Sequence, residues 1–287
     1  MEFAYFPGCR IDYYLKQYGM SSRAVLSALG VELVDIEFNC CGYPIRHQSF
    51  QSSILLAARS IALAQKEKLD IVTPCMCCFG HLKYAEQCLK ENSSLKKETN
   101  SILSNEGLKW EGSIQIKHLL SVLFHNVGLE TIRGQIQNPY HGLRVAVHYG
   151  CHALRPGNVV RFDNPLAPTL FENLVDVTGA ESVDWARRLE CCGNPLWEKN
   201  NSLSLKLMRK KLEDATQSGA KFLCTACTYC QIQFDTVQEA ELLKGRGTDT
   251  LPSILYPQLL GLSLGLDETA LGLEYNKIDI RGIKKYL

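Results

Sequence analysis

The chain has 287 residues, 31 Lys+Arg against 30 Asp+Glu for a formal net charge of +1, 46% hydrophobic residues and 13 cysteines. That length fits one large domain or two modest ones with full cores, and the near-neutral charge lacks the basic excess of a nucleic-acid binder. The cysteines are too sparse for a stapled secreted scaffold.

Met1-Glu2-Phe3 opens on what reads as a strand, without a basic and apolar leader. The expected compartment is therefore the reducing cytoplasm, where clustered thiols more often serve metals or redox chemistry than bridges. In chain order, a strand over 3–6 runs into Phe6-Pro7-Gly8-Cys9. A helix over 20–29 ends at Gly30, and a strand over 31–36 leads to Cys40-Cys41-Gly42-Tyr43-Pro44. An Ala/Leu-rich helix over 53–68, a strand over 71–73, the Cys75/Cys78 pair and a helix over 79–90 complete the first unit. Residues 91–113 are polar and turn-rich, and read as a solvated connection or surface insertion before a helix over 116–126.

From there the order repeats. A strand over 145–148 meets His148-Tyr149-Gly150-Cys151, and a helix lies around 168–177. Cys191-Cys192-Gly193-Asn194-Pro195 follows, then a helix over 202–218, a strand over 221–223, Cys227 and Cys230, and a helix over 232–242. The offset between halves is 142 at the first cysteine, 151 at the pair and 152 at the last two, so an insertion of nine residues precedes the second pair. The expected architecture is α/β: two pseudo-symmetric domains, 1–138 (with the insertion at 91–113) and 139–287, each with a parallel-strand core. Every cysteine cluster then falls at the carboxyl end of a strand, where open α/β sheets place ligands. The charge-free stretch 250–266 is interrupted by Pro252 and Pro257 and is shorter than a membrane span. It reads as a core helix or a partner-facing surface.

Each half supplies one Cys, then Cys-Cys, then Cys-x-x-Cys. Such soft donors select zinc or iron–sulfur chemistry. Structural zinc closes its shell with four ligands, whereas each half offers five thiols, and two adjacent thiolates reach different metal atoms more easily than one. A polynuclear cluster fits this count better. A dithiol reductase built on a Cys-x-x-Cys is the other reading, but it leaves six or more aligned cysteines without a task.

The doubled pattern, with Phe-Pro-Gly-Cys at its start, the run from Val145 to His152 opening its second half and Cys227-Thr-Tyr-Cys230-Gln-Ile-Gln-Phe-Asp235 near its end, resembles the tandem cysteine-rich CCG domains of the heterodisulfide reductase B-subunit family. The resemblance covers nearly the whole chain. It implies two noncubane 4Fe-4S clusters at the domain interface, each with five cysteine ligands. Carried over by motif these are Cys9, Cys40, Cys41, Cys75 and Cys78, and Cys151, Cys191, Cys192, Cys227 and Cys230. Zinc in one domain stays open. Cys224 also forms a Cys-x-x-Cys with Cys227, but the offset of 152 selects Cys227 and Cys230. Cys77 and Cys224 are left beside the clusters, and Cys88 reads as a buried helix thiol.

The resemblance further implies that the clusters face each other and clamp a disulfide, each donating one electron. It implies two partners from the same kind of complex, a ferredoxin-like iron–sulfur subunit (the C-type component) and a flavin-containing subunit (the A-type component). No ferredoxin-type cysteine run and no Gly-x-Gly-x-x-Gly after a strand occurs here, so flavin or nicotinamide would sit on a partner. Arg46, His47 and His152 are the candidate catalytic residues, for binding an anionic disulfide or protonating product thiolates; His81, His148 and Arg155 also flank the motifs. The competing function is a non-catalytic electron-transfer subunit, as in lactate-utilisation or succinate/fumarate-type oxidoreductases. Structural zinc is a third.

Overall fold

Eight short strands, each flanked by helices, set the architecture of this computed structural model, which describes residues 1–245 and 250–287. The first four are β1 (Glu2–Tyr5), β2 (Glu32–Asp35), β3 (Ile71–Thr73) and β4 (Ile116–His118), in the order β2-β1-β3-β4. The second four are β5 (Arg144–His148), β6 (Glu181–Val183), β7 (Phe222–Thr225) and β8 (Ser253–Leu255), in the order β6-β5-β7-β8. All pairings are parallel. The inner strands carry unbroken apolar or β-branched runs, such as Ile71-Val72-Thr73, buried at every position, as a parallel sheet covered on both faces requires.

The helices are α1 (Lys16–Ala28), α2 (Phe50–Lys66), α3 (Met76–Glu91), α4 (Ser93–Leu103), α5 (Leu170–Asp176), α6 (Asn201–Gln217) and α7 (Tyr256–Ser263), with shorter turns between them. α2 and α6 are related by the offset of 151 at both ends and start alike: Ser49 accepts from the Ser52 amide at 3.3 Å and Asn200 from the Leu203 amide at 3.1 Å. α2 buries Ile54, Ala57, Ala58 and Ile61. Each fully buried isoleucine contributes about 1.5–3 kcal/mol, so it is this face that holds the helix to the sheet.

Three expectations are corrected. The polar stretch 91–113 contains the helix α4: Asn92 caps it by accepting from the Leu95 amide at 2.9 Å, and Leu95, Thr99 and Leu103 form a buried stripe. Asn92 is the cap, Ser93, Ser94 and Ser101 lie on the exposed face, Asn100 is half-buried and holds the Trp110 backbone, and the expected turn follows at 104–107. The helix expected over 116–126 begins as β4, and only after His118 does the chain turn helical, with the imidazole Nδ1 accepting from the Leu120 amide at 3.1 Å. β6 and β8 were also not foreseen as strands; both are three residues long. The 250–266 segment is core, with α7 buried at every position and packed on α1.

The halves meet along α3. Gly80 lies against the His152 carbonyl, where an added Cβ would stand 3.0 Å away. Phe162 packs edge-on against Phe79 (6.0 Å between centroids) and His118 (5.9 Å). Phe162 lies in the longer connection of the second half: the offset grows from 142 at Cys151 to 149 at β6, so most of the nine extra residues fall between them. Those residues seat one half on the other.

Candidate metal centre

Both sulfur sets stand just past the carboxyl ends of the strands. Cys9 and Cys151 open short helices, and Cys75 and Cys227 are the capping residues of the helices that begin at Met76 and Thr228. Helix amino termini carry partial positive charge and favour thiolate. Gly8 and Gly150 hold the turns before Cys9 and Cys151 at φ 79° and 76°, a backbone that side chains other than glycine rarely adopt. A Cβ on Gly8 would stand 2.8 Å from the Cys78 sulfur, so the turn is a cradle closed over that sulfur.

The sulfurs run in two matched chains. In the first, Cys9 approaches Cys40 at 3.8 Å, Cys41 is in hydrogen-bond reach of Cys78, and Cys78 of Cys75. In the second, Cys151 reaches Cys191, Cys192 reaches Cys230, and Cys230 reaches Cys227. Within each adjacent pair the two sulfurs take different partners, the behaviour expected of donors to more than one metal atom. Thiol hydrogens from both neighbours draw Cys40 down to about 2, the Cys41 bond first, and Cys191 down to about 2, the Cys151 bond first. Cys9 and Cys151 are pushed up, chiefly by those same bonds and then by burial. The leading member of each Cys-Cys pair is thus held toward thiolate, and in the first set Cys75 is drawn down as well, chiefly by Cys227.

The two chains touch. Cys75 and Cys77 are both in hydrogen-bond reach of Cys227, and the Thr228 hydroxyl lies 3.1 Å from the Cys75 sulfur. A cleft at this junction is lined by Cys9, Arg10, Cys41, Tyr43, Cys75, Cys77, Cys78, Thr228 and Tyr229. Arg10 lies 4.2 Å over the Tyr229 ring and Arg46 lies 3.6 Å over the Tyr43 ring, so two cation–π pairs flank it.

Of the three candidate catalytic residues, His152 meets sulfur among the described residues: its Nδ1 is 3.5 Å from both Cys77 and Cys151, and its ring is edge-on to Tyr43 at 4.9 Å. Burial lowers its pKa and favours neutral imidazole. Arg46 also donates to the Tyr43 carbonyl at 2.8 Å, whereas His47 is exposed. His81 is buried, with Nε2 3.4 Å from the Ser53 carbonyl, a packing role. Cys77 joins the junction. Cys224 is a core residue of β7, raised by burial, and Cys88 is half-buried on α3, raised by burial despite a hydrogen bond from Tyr84.

Sequence reasoning passed over Arg10, Tyr43, Thr228 and Tyr229 as site residues. Their one signal was position, within two residues of Cys9, Cys41, Cys227 and Cys230. It also passed over Lys211, buried near the second set, which lies opposite Ser60 in the repeat. His148 Nε2 lies 3.2 Å from the Cys230 sulfur, and His148, Cys192 and Cys230 place their donor atoms within 4.8 Å of one another, a nitrogen–sulfur group able to hold one metal ion.

The donor set tests well against a thiolate-held polynuclear centre. Each chain offers five sulfurs, no carboxylate is among them, and a glycine clears the space over each set.

Residues 3–83 and 145–235 each match the family described as "CCG: Cysteine-rich domain". The B subunit of ferredoxin/F(420)H(2)-dependent CoB-CoM heterodisulfide reductase from Methanosarcina acetivorans is 34% identical over 95% of this chain and 92% of its own. The 8-methylmenaquinol:fumarate reductase membrane anchor subunit of Wolinella succinogenes is 34% identical over 97% of each. Lactate utilization protein A of Macrococcus caseolyticus is 23% identical over 87% of this chain and 92% of its own. Among solved structures, a hypothetical protein from Helicobacter pylori superposes with a TM-score of 0.76 at 16% identity; it covers 98% of this chain, which spans 52% of that one, and the likeness is one of fold.

Proposed function

The chain belongs to the cysteine-rich CCG family, in the two-copy form of the heterodisulfide reductase B subunits, with an iron–sulfur oxidoreductase role, and from that premise we propose that it is the disulfide-reducing component of a heterodisulfide-reductase-like complex. Cys9, Cys40, Cys41, Cys75 and Cys78 hold one noncubane 4Fe-4S cluster, and Cys151, Cys191, Cys192, Cys227 and Cys230 hold the other. When bound, such clusters supply two one-electron donors and iron positions that accept thiolate sulfur. The observation that carries this reading is the meeting of two matched five-sulfur chains through Cys75 and Cys227, beside a cleft lined by the first set and by Thr228 and Tyr229 of the second half. Reducing R-S-S-R′ to two thiolates takes two electrons, and two like centres side by side match that demand.

The chain's own residues supply the rest. Arg10 and Arg46, spread on Tyr229 and Tyr43, present guanidinium edges to an anionic disulfide at the mouth. His152 places Nδ1 between Cys77 and Cys151, where a neutral ring can hydrogen-bond a sulfur and orient it. The Thr228 hydroxyl fixes the Cys75 sulfur, and the Tyr43 and Tyr229 rings exclude water from the junction.

Electrons arrive from partners: a ferredoxin-like iron–sulfur protein and a flavin-containing protein, in the cytoplasm. Among the described residues no helix is long and apolar enough to cross a membrane. The equal identity of the Wolinella anchor protein favours, as a second reading, an electron-transfer component of a fumarate-reductase-type enzyme.

Anaerobically purified protein is expected to carry about eight irons and eight acid-labile sulfides per chain. EPR of the oxidised protein should change on adding the right thiol or disulfide. Zinc without sulfide defeats the cluster assignment; a full iron content with no response to any thiol or disulfide, and none reduced by an artificial donor, leaves the electron-transfer reading.

A further inference from the structure

The repeat gives each residue around one sulfur set a partner around the other, and many partners differ in kind: Arg10 corresponds to His152, Tyr43 to Asn194, Arg46 to Trp197 and His81 to Gln233, and two further pairs bear on what is buried beside the second set. Phe6, just past β1, corresponds to His148 at the end of β5, and Ser60 on α2 corresponds to Lys211 on α6. Phe6 packs on Phe38 at 5.0 Å, and Ser60 turns its hydroxyl back to the Leu56 carbonyl at 3.3 Å. Neither offers charge to the first set. His148 instead brings Nε2 to 3.2 Å from the Cys230 sulfur, and Lys211 is a buried ammonium, 1% exposed, that donates to the Arg187 carbonyl and lies 4.6 Å over the Trp185 ring.

We propose that the two metal centres are unequal electron acceptors, and that Lys211 and His148 make the second centre the one that is reduced first. The proposal rests on the two-cluster reading above.

A lysine is almost never fully buried without a partner. Here its direct hydrogen bond goes to a neutral carbonyl and its ring contact is neutral, while the charges that favour its protonation are, in order, Cys230, Cys192, Glu190 and Cys191. Glu190 already pairs with Arg187 at 2.8 Å. The counter-charge of Lys211 is therefore the second sulfur set, whose thiols become thiolates when they hold a metal. Burial draws Lys211 down to about 8, still protonated at neutral pH.

One-electron reduction adds one negative charge to a centre and neither makes nor breaks a bond in the chain; the electron comes from a low-potential donor. A fixed cation in low dielectric stabilises the more negative state strongly, and a hydrogen bond to a ligand sulfur does the same. The first centre's cations, Arg10 and Arg46, are only half-buried and already engaged with rings, so water screens them.

The test is an EPR-monitored redox titration of the anaerobically purified full chain, with metal and sulfide counted on the same sample. Two midpoint potentials are expected. Lys211→Met should move the upper one down and leave the lower in place, Lys211→Arg should keep both, and His148→Phe, which copies the first half, should also lower the upper one. Should Lys211→Met not fold, His148→Phe against wild type makes the same decision. A single midpoint for both centres, an upper midpoint that neither substitution moves, or zinc at the second site overturns the proposal while leaving iron at the first. Absence of iron and sulfide altogether overturns the cluster reading, and this proposal with it.

Discussion

The two halves repeat their sulfurs in register yet surround them differently. Strand ends, helix caps and the glycine turns before Cys9 and Cys151 are the same in both. The flanking side chains are not: Phe6 and Ser60 on one side, His148 and Lys211 on the other, and an exposed Cys9 against a half-buried Cys151. The scaffold fixes where sulfur can stand, because strand ends and helix starts leave little freedom there. The surroundings are free to set what each centre does.

The largest effect that can break the pairing falls at the junction. Cys227 is within reach of Cys75 and Cys77 as well as Cys230, whereas Cys192 meets sulfurs of its own half, Cys191 and Cys230. Cys192→Ser should lose about half of the iron, that of one site. Cys227→Ser should lose that half and also disturb the signal of the first site. Iron analysis with EPR checks both, and a full complement in either variant ends the ligand assignment.

Next in size is the contrast between Gly8 and Gly150. Both occupy left-handed backbone, so alanine costs about 1–3 kcal/mol at either. At Gly8 the new Cβ also meets the Cys78 sulfur at 2.8 Å, whereas at Gly150 the nearest atom, the Cys227 Cβ, is 3.5 Å away. Gly8→Ala should therefore shed iron from the first site, and Gly150→Ala should be destabilised in denaturant with its iron retained. Equal iron loss would show that backbone strain, not the cradle, decides.

The last residues of β4 and β8 give a third contrast, His118 against Leu255. His118 is fully buried, with Nδ1 accepting from Leu120 and Nε2 2.9 Å from the Pro74 carbonyl, and burial lowers its pKa from 6.5 to about 4. A lowered folded value means the unfolded chain takes up the proton first, so stability is lost as pH falls from 6.5 toward 4. By pH 5 the loss is about 2 kcal/mol. Hydrogen exchange of the β3 and β4 amides should report it. His118→Leu, copying Leu255, should remove the slope at the expense of about 1–2 kcal/mol at pH 7 for the hydrogen bonds lost. A slope that survives His118→Leu belongs to another group.

Much of this was legible in the sequence. Two copies of one spacing located ten sulfurs, and apolar runs located β1, β3, β5 and β7, because both signals are local. β4, β6 and β8 were not legible, since each mixes polar residues into its three positions where β3 is Ile-Val-Thr, and only pairing with a neighbouring strand makes them extended. α4 was hidden because its exposed face and cap use the residues that turns use. Within the site, His152 was found by its place beside Cys151, but the contacts of Arg10 with Tyr229 and of Tyr43 with His152 join segments far apart in the chain. Lys211 was legible only by laying one half on the other.

The smallest contrast is Lys83 against Asp235, related by the offset of 152. Lys83 pairs with Glu86 at 2.9 Å near the surface, and Lys83→Ala should change stability by less than about 1 kcal/mol. Asp235 is buried and accepts from the backbone amides of Lys277 (3.0 Å) and Ile278 (2.9 Å), which ties the C-terminal segment to the second half. Burial outweighs those bonds and raises its pKa from 3.8 to about 6. A raised folded value in an acid means the unfolded chain ionises first, so stability falls as pH rises from 3.8 to about 6 and stays reduced above it. Asp235→Asn keeps Oδ1, which accepts from both amides, loses the second contact of the Lys277 amide with Oδ2, and removes the cost of charge. It should flatten that fall and gain about 1 kcal/mol at pH 7 in denaturant unfolding, after the weaker neutral hydrogen bonds are counted. A loss at pH 7 would instead mean that the charged form is needed to hold residues 277 and 278, and that the second half depends on its C-terminal segment where the first relies on a surface ion pair.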